Sequence, residues 1–338
     1  MKRAAIVGER KAELVEVPDP EPKGDWVVVK VHAVPMCTEY KAFVAGTKVD
    51  QLGHEAAGEV VAVAQPGRVE VGQRVVVQPL AGCGMCPLCQ SGDYIYCENG
   101  PDLRRIHGTA EGSATYAQYL LKQDWLLSPI PEGMSYERAS LACCALGPSF
   151  GAFQAMGLTA FDTVLITGLG PVGLGAIANA LYRGARPIVV ESEPYRVARA
   201  RSLGAEHVLD PREPDLAAKI KALTGGRGVD CALDCAGVVA AQRLCLDATR
   251  RRGKVAFVGE CYDELPIKVS PDLIRKGHRV MGSWHYNLAQ VGSVFQIIAN
   301  SPLVDQLVSH VMPMSRIQEA LELTASHQTA KVILKPWE

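Results

Sequence analysis

Four cysteines fall within fifteen residues in the run CGMCPLCQSGDYIYC, at Cys83, Cys86, Cys89 and Cys97. That spacing lets one loop wrap four thiolates tetrahedrally around a zinc ion. Such a closed shell leaves the ion no vacancy for water or substrate, so the 83–97 lobe is expected to be structural. A redox dithiol or an iron–sulfur cluster would use the same residues, but nothing else in the chain suggests an electron partner. Lewis-acid chemistry needs a second, open site with three protein ligands and one free position. Cys37 in PMCTEYKAF, His54 in LGHEAAGEV and Cys144 in SLACCALG offer one imidazole and two thiolates. Spacing alone does not join these three, and a lone buried cysteine or histidine ordinarily only packs.

A different chemistry is written at 168–173, where Gly168, Leu169, Gly170, Pro171, Val172 and Gly173 form GLGPVG directly after the apolar run VLIT. After a strand and before a helix, the first glycine makes the tight turn, the second admits a pyrophosphate, and the third lets helix and strand pack closely. The next strand, PIVVES, reaches Glu191, whose carboxylate is placed to accept hydrogen bonds from the adenosine ribose hydroxyls and to repel a 2′-phosphate. This favours NAD over NADP. Arg196, pointed at the ribose edge, would partly reverse that preference.

The elements that must hold these groups follow two grammars. Residues 1–149 are rich in short β-branched runs broken by Gly and Pro, such as DWVVVKVHAV, GEVVAVAQPG and GQRVVVQPL, which predicts a strand-dominated, barrel-like domain. Residues 150–285 alternate six apolar strand candidates with amphipathic helical stretches, which predicts a doubly wound parallel sheet of the Rossmann type. Residues 286–338 contain a helix and a strand without a further repeating unit, and are expected to return to the first domain. A chain of 338 residues suits two such cores.

Composition excludes several partners. Lys and Arg number 35 against 36 Asp and Glu, with no like-charged block, so neither nucleic acid nor an anionic membrane is an expected partner. The most apolar stretch, ASLACCALGPSFGAFQAMGL, is broken by Gly and Pro and does not read as a membrane span. The start, MKRAAIVGERKAELVEV, lacks the apolar core of a signal peptide, which predicts a cytoplasmic protein. In that compartment the eleven unevenly spaced cysteines read as metal ligands and free thiols, with Cys231, Cys235, Cys245 and Cys261 as packing.

Taken in order, the Cys37 segment, GHEAAGEVV, the four-cysteine lobe, GLGPVG and the returning tail resemble the zinc-dependent medium-chain alcohol and polyol dehydrogenases over essentially the whole chain. The resemblance implies a GroES-like catalytic domain, an inserted Rossmann domain, an active site in the cleft, and a homodimer or homotetramer. It implies catalytic-zinc ligands at Cys37 and His54, with Glu55 beside the metal and a third ligand at Cys144 or, with a one-residue adjustment, Cys143. Cys144 is the expected ligand. The family's first ligand continues as C-x-[ST]-D, where the hydroxyl starts a proton relay; here the run is Cys37-Thr38-Glu39-Tyr40. Either Glu39 takes the proton, or Thr38 or a water substitutes, or the site handles a substrate for which that step differs; the competing structural reading of Glu39 is a helix N-terminal carboxylate favoured by the dipole. The expected activity is hydride transfer between a secondary alcohol or polyol and NAD. A threonine-type amino-alcohol dehydrogenase shares the same machinery, and a catalytically silent dinucleotide-binding protein would keep the fold without needing an open metal site.

Overall fold

The computed structural model describes residues 1–110 and 112–338, which divide into two compact units. The first comprises Met1–Cys144, Asn287–Ala299 and Val308–Glu338. The second comprises Ala145–Tyr286 and Asn300–Leu307. Three boundaries differ from the sequence reading, the smallest by one residue at Tyr286, which falls in the second unit. The second unit starts at Ala145, five residues before 150, and it takes back 300–307 from the returning tail because Val304 and Leu307 bury their side chains there.

In the first unit the organising element is the strand Trp26–Pro35, whose run WVVVKVHAVP is long enough to take several partners. Ala56–Ala62 pairs antiparallel along one edge. The other edge is shared between Tyr119–Gln123, opposite the first half, and Lys331–Lys335, opposite Val34 and Pro35. Lys331–Lys335 in turn pairs with Val308–Pro313, so a segment distant in sequence lies inside the sheet. Inward-facing Val29, Val31, Val34, Val60, Val75, Val77, Leu120 and Leu334 join Phe43 and Tyr116 in one buried core. This rigid sheet matters for function because Cys37 follows its longest strand and His54 precedes the next.

The second unit holds a six-stranded parallel sheet in the order His207–Leu209, Arg186–Val190, Thr163–Thr167, Val229–Asp234, Thr249–Phe257, Arg279–Gly282. All six strands arise from the expected apolar runs. Thr163–Thr167 is buried at every position, as a strand covered on both faces must be. Chain order reverses at this strand, which makes its carboxyl end the switch point where open α/β sheets bind ligands. The helix Pro171–Tyr182 begins there. Among the described residues, no helix is long and apolar enough to cross a membrane.

Candidate active site and metal centres

The four lobe cysteines converge as their spacing predicts. Their sulfurs lie within 4.8 Å of one another, with Cys83 and Cys89 4.0 Å apart and Cys86 and Cys97 3.9 Å apart. Tetrahedral zinc with 2.3 Å bonds to sulfur requires separations of about 3.8 Å, so the set fits that ion. Backbone amides prepare it for an anion. Hydrogen bonds from the Met85 and Cys86 amides hold the Cys83 thiol down at about 6, whereas burial pushes Cys89 up to about 12.

A second cluster gathers residues from three separate stretches of the first unit. Cys37 Sγ, His54 Nε2, Cys144 Sγ and a Glu55 carboxylate oxygen lie within 4.8 Å of one another, and Nε2 is 3.2 Å from the Cys144 sulfur. Cys144 sits in a turn between the helices Tyr136–Ser140 and Gly147–Met156. Its neighbour Cys143 is fully buried and directs its thiol to the Val77 carbonyl at 3.4 Å, away from the cluster. The donor chemistry, two sulfurs and one imidazole nitrogen, suits zinc.

Glu55 is buried and already engaged. Its Oε1 accepts a 2.6 Å bond from Lys331 Nζ, and its Oε2 accepts a 2.9 Å bond from the Cys144 amide. Burial pushes its carboxyl up to about 7 against the opposing charge of Lys331. Lys331, itself fully buried, also donates to the Met36 carbonyl at 2.9 Å, and the surrounding anions hold its ammonium charged. Burial pushes the His54 imidazole down, but hydrogen bonds to Cys37 and Glu39 and the charge of Glu55 outweigh it, giving about 11. The hydrogen bond between the two thiols drives Cys144 well up and Cys37 well down. His54 is thus held as a cation and Cys144 as a neutral thiol, and an entering metal ion would displace both protons.

Glu39 makes contacts with the donor cluster itself. It occupies the residue before the helix Tyr40–Ala45 but caps nothing there with its side chain. Its Oε1 lies 3.0 Å from His54 Nδ1, while Oε2 accepts from the Cys37 amide and the Tyr116 hydroxyl, each at 2.9 Å. Burial pushes the carboxyl up, yet the His54 interaction and the Cys37 amide outweigh it, and Glu39 stays ionised at about 2. Thr38 is exposed and does not join the donor cluster.

In the second unit, Gly168 has φ of 77° and faces Ala236, where an added Cβ would come within 2.6 Å of the Cα. A Cβ at Gly173 would stand 2.0 Å from the Gly168 carbonyl, whereas one at Gly170 would meet nothing within 4 Å. Close packing and open approach therefore fall on the glycines expected to provide them. Leu169 donates its amide to Glu191 Oε2 at 2.8 Å, and the Ser192 and Glu193 amides bond Glu191 Oε1 at 2.8 and 3.0 Å. Pro171 and Val172 open the following helix, and Arg196 places Nη1 3.9 Å from Glu191. Gly168 and Glu191 line a cavity of about 340 Å³ with Val238, Ala241 and Leu244. A larger cavity, about 550 Å³, lies at the opposite, amino ends of the strands, far from the glycine turn.

Sequence reasoning missed Lys331 and Tyr116. A lysine set among apolar neighbours in the strand KVILK was a usable signal. Tyr116 carried none.

Two family models match the chain: an alcohol dehydrogenase GroES-like domain over residues 23–132 and a zinc-binding dehydrogenase over residues 171–300. The sorbitol dehydrogenase of Bacillus subtilis is 33% identical, covering 99% of this chain and 97% of that protein. The L-threonine 3-dehydrogenase of Pyrococcus furiosus is 32% identical, covering 96% and 95%. Among solved structures, an alcohol dehydrogenase from Thermus sp. ATN1 superposes with a TM-score of 0.88 at 26% identity, covering 99% of both chains.

Proposed function

Because the chain belongs to the zinc-dependent medium-chain dehydrogenase family and is an oxidoreductase of the alcohol and polyol type, with zinc and NAD as its cofactors, we propose that Cys37, His54 and Cys144 hold the catalytic zinc. The observation that carries this reading is an open donor set. Two thiols and an imidazole converge, while the neighbouring Glu55 is occupied by Lys331 and the Cys144 amide. A fourth position is thereby left for a substrate oxygen. Zinc bound there supplies Lewis acidity, which makes a hydroxyl easier to deprotonate. Cys83, Cys86, Cys89 and Cys97 hold a structural zinc.

The protein residues have separable tasks. Gly168, Gly170 and the amino end of the helix Pro171–Tyr182 receive the pyrophosphate, and Gly173 keeps that helix close to its strand. Glu191, held by the Leu169 amide, accepts the ribose hydroxyls and as an acceptor disfavours a 2′-phosphate, so NAD is preferred to NADP. Glu55, a buried anion within reach of the donors, tunes the charge of the site. NAD held by the second unit would supply the hydride acceptor for the oxidation of the carbinol carbon.

We further propose a cytoplasmic homo-oligomer. The strand Arg279–Gly282 forms one end of its sheet, with Val280 36% and the nearby Trp284 48% exposed, which suits edge-to-edge pairing with a second copy. Light scattering tests the state.

The substrate is a small secondary alcohol or polyol, and the similarity to a threonine dehydrogenase favours an amino alcohol as the second reading. The test is NAD reduction by zinc-loaded protein over alcohols, polyols, cyclitols, sugars and amino alcohols. Turnover confined to polyols or simple secondary alcohols supports the first reading, and turnover confined to amino alcohols the second. Inactivity throughout, with zinc and NAD both bound, would sink both.

A further inference from the structure

We propose that Tyr116 and Glu39 form a buried positioning chain for His54, so that the residue two places after Cys37 orients a metal ligand and carries no substrate proton. The inference rests on the zinc-site reading above. The sequence pattern of the family puts a hydroxyl at position 39 and an acid at position 40; here the acid has moved one place nearer to Cys37 and gained a methylene. The longer side chain reaches His54 Nδ1 at 3.0 Å. With Nδ1 so engaged, the ring presents Nε2 to the cluster, 3.2 Å from the Cys144 sulfur.

Three further contacts fix the carboxylate. The Cys37 amide and the Tyr116 hydroxyl each donate to Oε2 at 2.9 Å, so the first metal ligand and the orienting group are tied together. Tyr116 is fully buried and lies in the core with Val29, Val31 and Leu120. The third fixing contact is steric. Gly53, the residue before His54, has φ of 88°, and a Cβ there would come within 2.4 Å of the Tyr116 ring. Gly53 therefore admits the ring beneath the His54 segment, Tyr116 holds Glu39, and Glu39 holds His54.

The same contacts exclude a relay. A proton relay must run from the reacting oxygen to water. This chain runs from His54 into the core and ends on a tyrosine with no exposed surface. Both Glu39 oxygens already have partners, and the side chain is only 9% exposed.

The experiment measures zinc transfer from the fully loaded protein to a chromogenic chelator, with the four-cysteine zinc as the internal reference. Glu39→Gln should weaken one of the two zinc ions by about 10- to 100-fold and leave the other unchanged. Tyr116→Phe should loosen the same ion by less. Turnover of Glu39→Gln should recover as zinc is raised. Turnover that stays lost with both ions bound would assign Glu39 a relay role and overturn the proposal. So would two ions held within about twofold of the native affinities. If Glu39→Gln does not fold, Tyr116→Phe decides: an unchanged zinc site overturns the proposal. Native protein that takes up a single zinc would refute the zinc-site reading itself, a result distinct from all of these.

Discussion

Replacing Lys331 with methionine should destabilise the first unit more than any loss of contact area would suggest. Lys331 and Glu55 are 0% and 1% exposed, 2.6 Å apart, and 276 positions apart in sequence. Removing one partner of such a pair leaves a buried, unpaired charge and costs about 3–5 kcal/mol. Methionine roughly conserves the volume, so cavity formation adds little. Adding Glu55→Gln removes the stranded charge while keeping an acceptor for the Cys144 amide. The double variant then lacks only the donor to the Met36 carbonyl, a deficit of about 1 kcal/mol. The double variant is therefore expected to be about 2–4 kcal/mol more stable than Lys331→Met alone. Three of the four tryptophans, Trp26, Trp125 and Trp337, belong to the first unit, so urea unfolding of the metal-free protein followed by fluorescence reports it.

The pH dependence supplies an internal check. Glu55 is raised from 4.5 to about 7, so between those values the folded protein binds a proton that the unfolded chain has released. Native stability from this group is present at low pH and lost as pH rises through about 7. Without Lys331 the carboxyl rises further, so the deficit of Lys331→Met should be smallest in acid and grow with pH. A single-variant loss below about 1 kcal/mol, or a double variant equal to the sum of its parents, would refute the argument.

Other outcomes follow from the same geometry. Cys89→Ser should reduce zinc from two ions to one per chain and lower the thermal midpoint of the first unit, while dinucleotide binding to the second persists; metal analysis with fluorescence titration checks both. Glu191→Ala should weaken NAD binding by about 10- to 100-fold, the loss of charge-assisted hydrogen bonds, and narrow the NAD to NADP ratio in steady-state kinetics. Gly173→Ala should destabilise the second unit by about 1–3 kcal/mol, because its Cβ would meet the Gly168 carbonyl at 2.0 Å, and NAD titration should show weakened binding.

The sequence made the second unit legible because each of its parts is local: an apolar strand, a glycine turn, a helix, and a carboxylate at the next strand end. The four-cysteine lobe was legible for the same reason. The role of Glu39 stayed open in the sequence because one residue type suits a proton carrier, a helix N-terminal carboxylate and a hydrogen-bond acceptor, and only the positions of His54, Cys37 and Tyr116 bear on these uses. Lys331 and Tyr116 act across 276 and 77 positions, where periodicity carries no signal. Segment 300–307 was assigned to the tail because its apolar residues suit either core equally well.

The place of Lys331–Lys335 inside the seven-stranded sheet has a consequence for how the protein is made. Glu55 leaves the ribosome 276 residues before its cation does. At about 5–20 residues per second, that interval is on the order of 15–55 s. During it the nascent first unit holds the Val34–Pro35 end of its longest strand without its partner and a carboxyl without its counter-charge, while the whole 145–286 segment is synthesised and able to fold. Assembly of the metal-binding unit is thus timed by its latest strand, and chaperone demand should concentrate in that window.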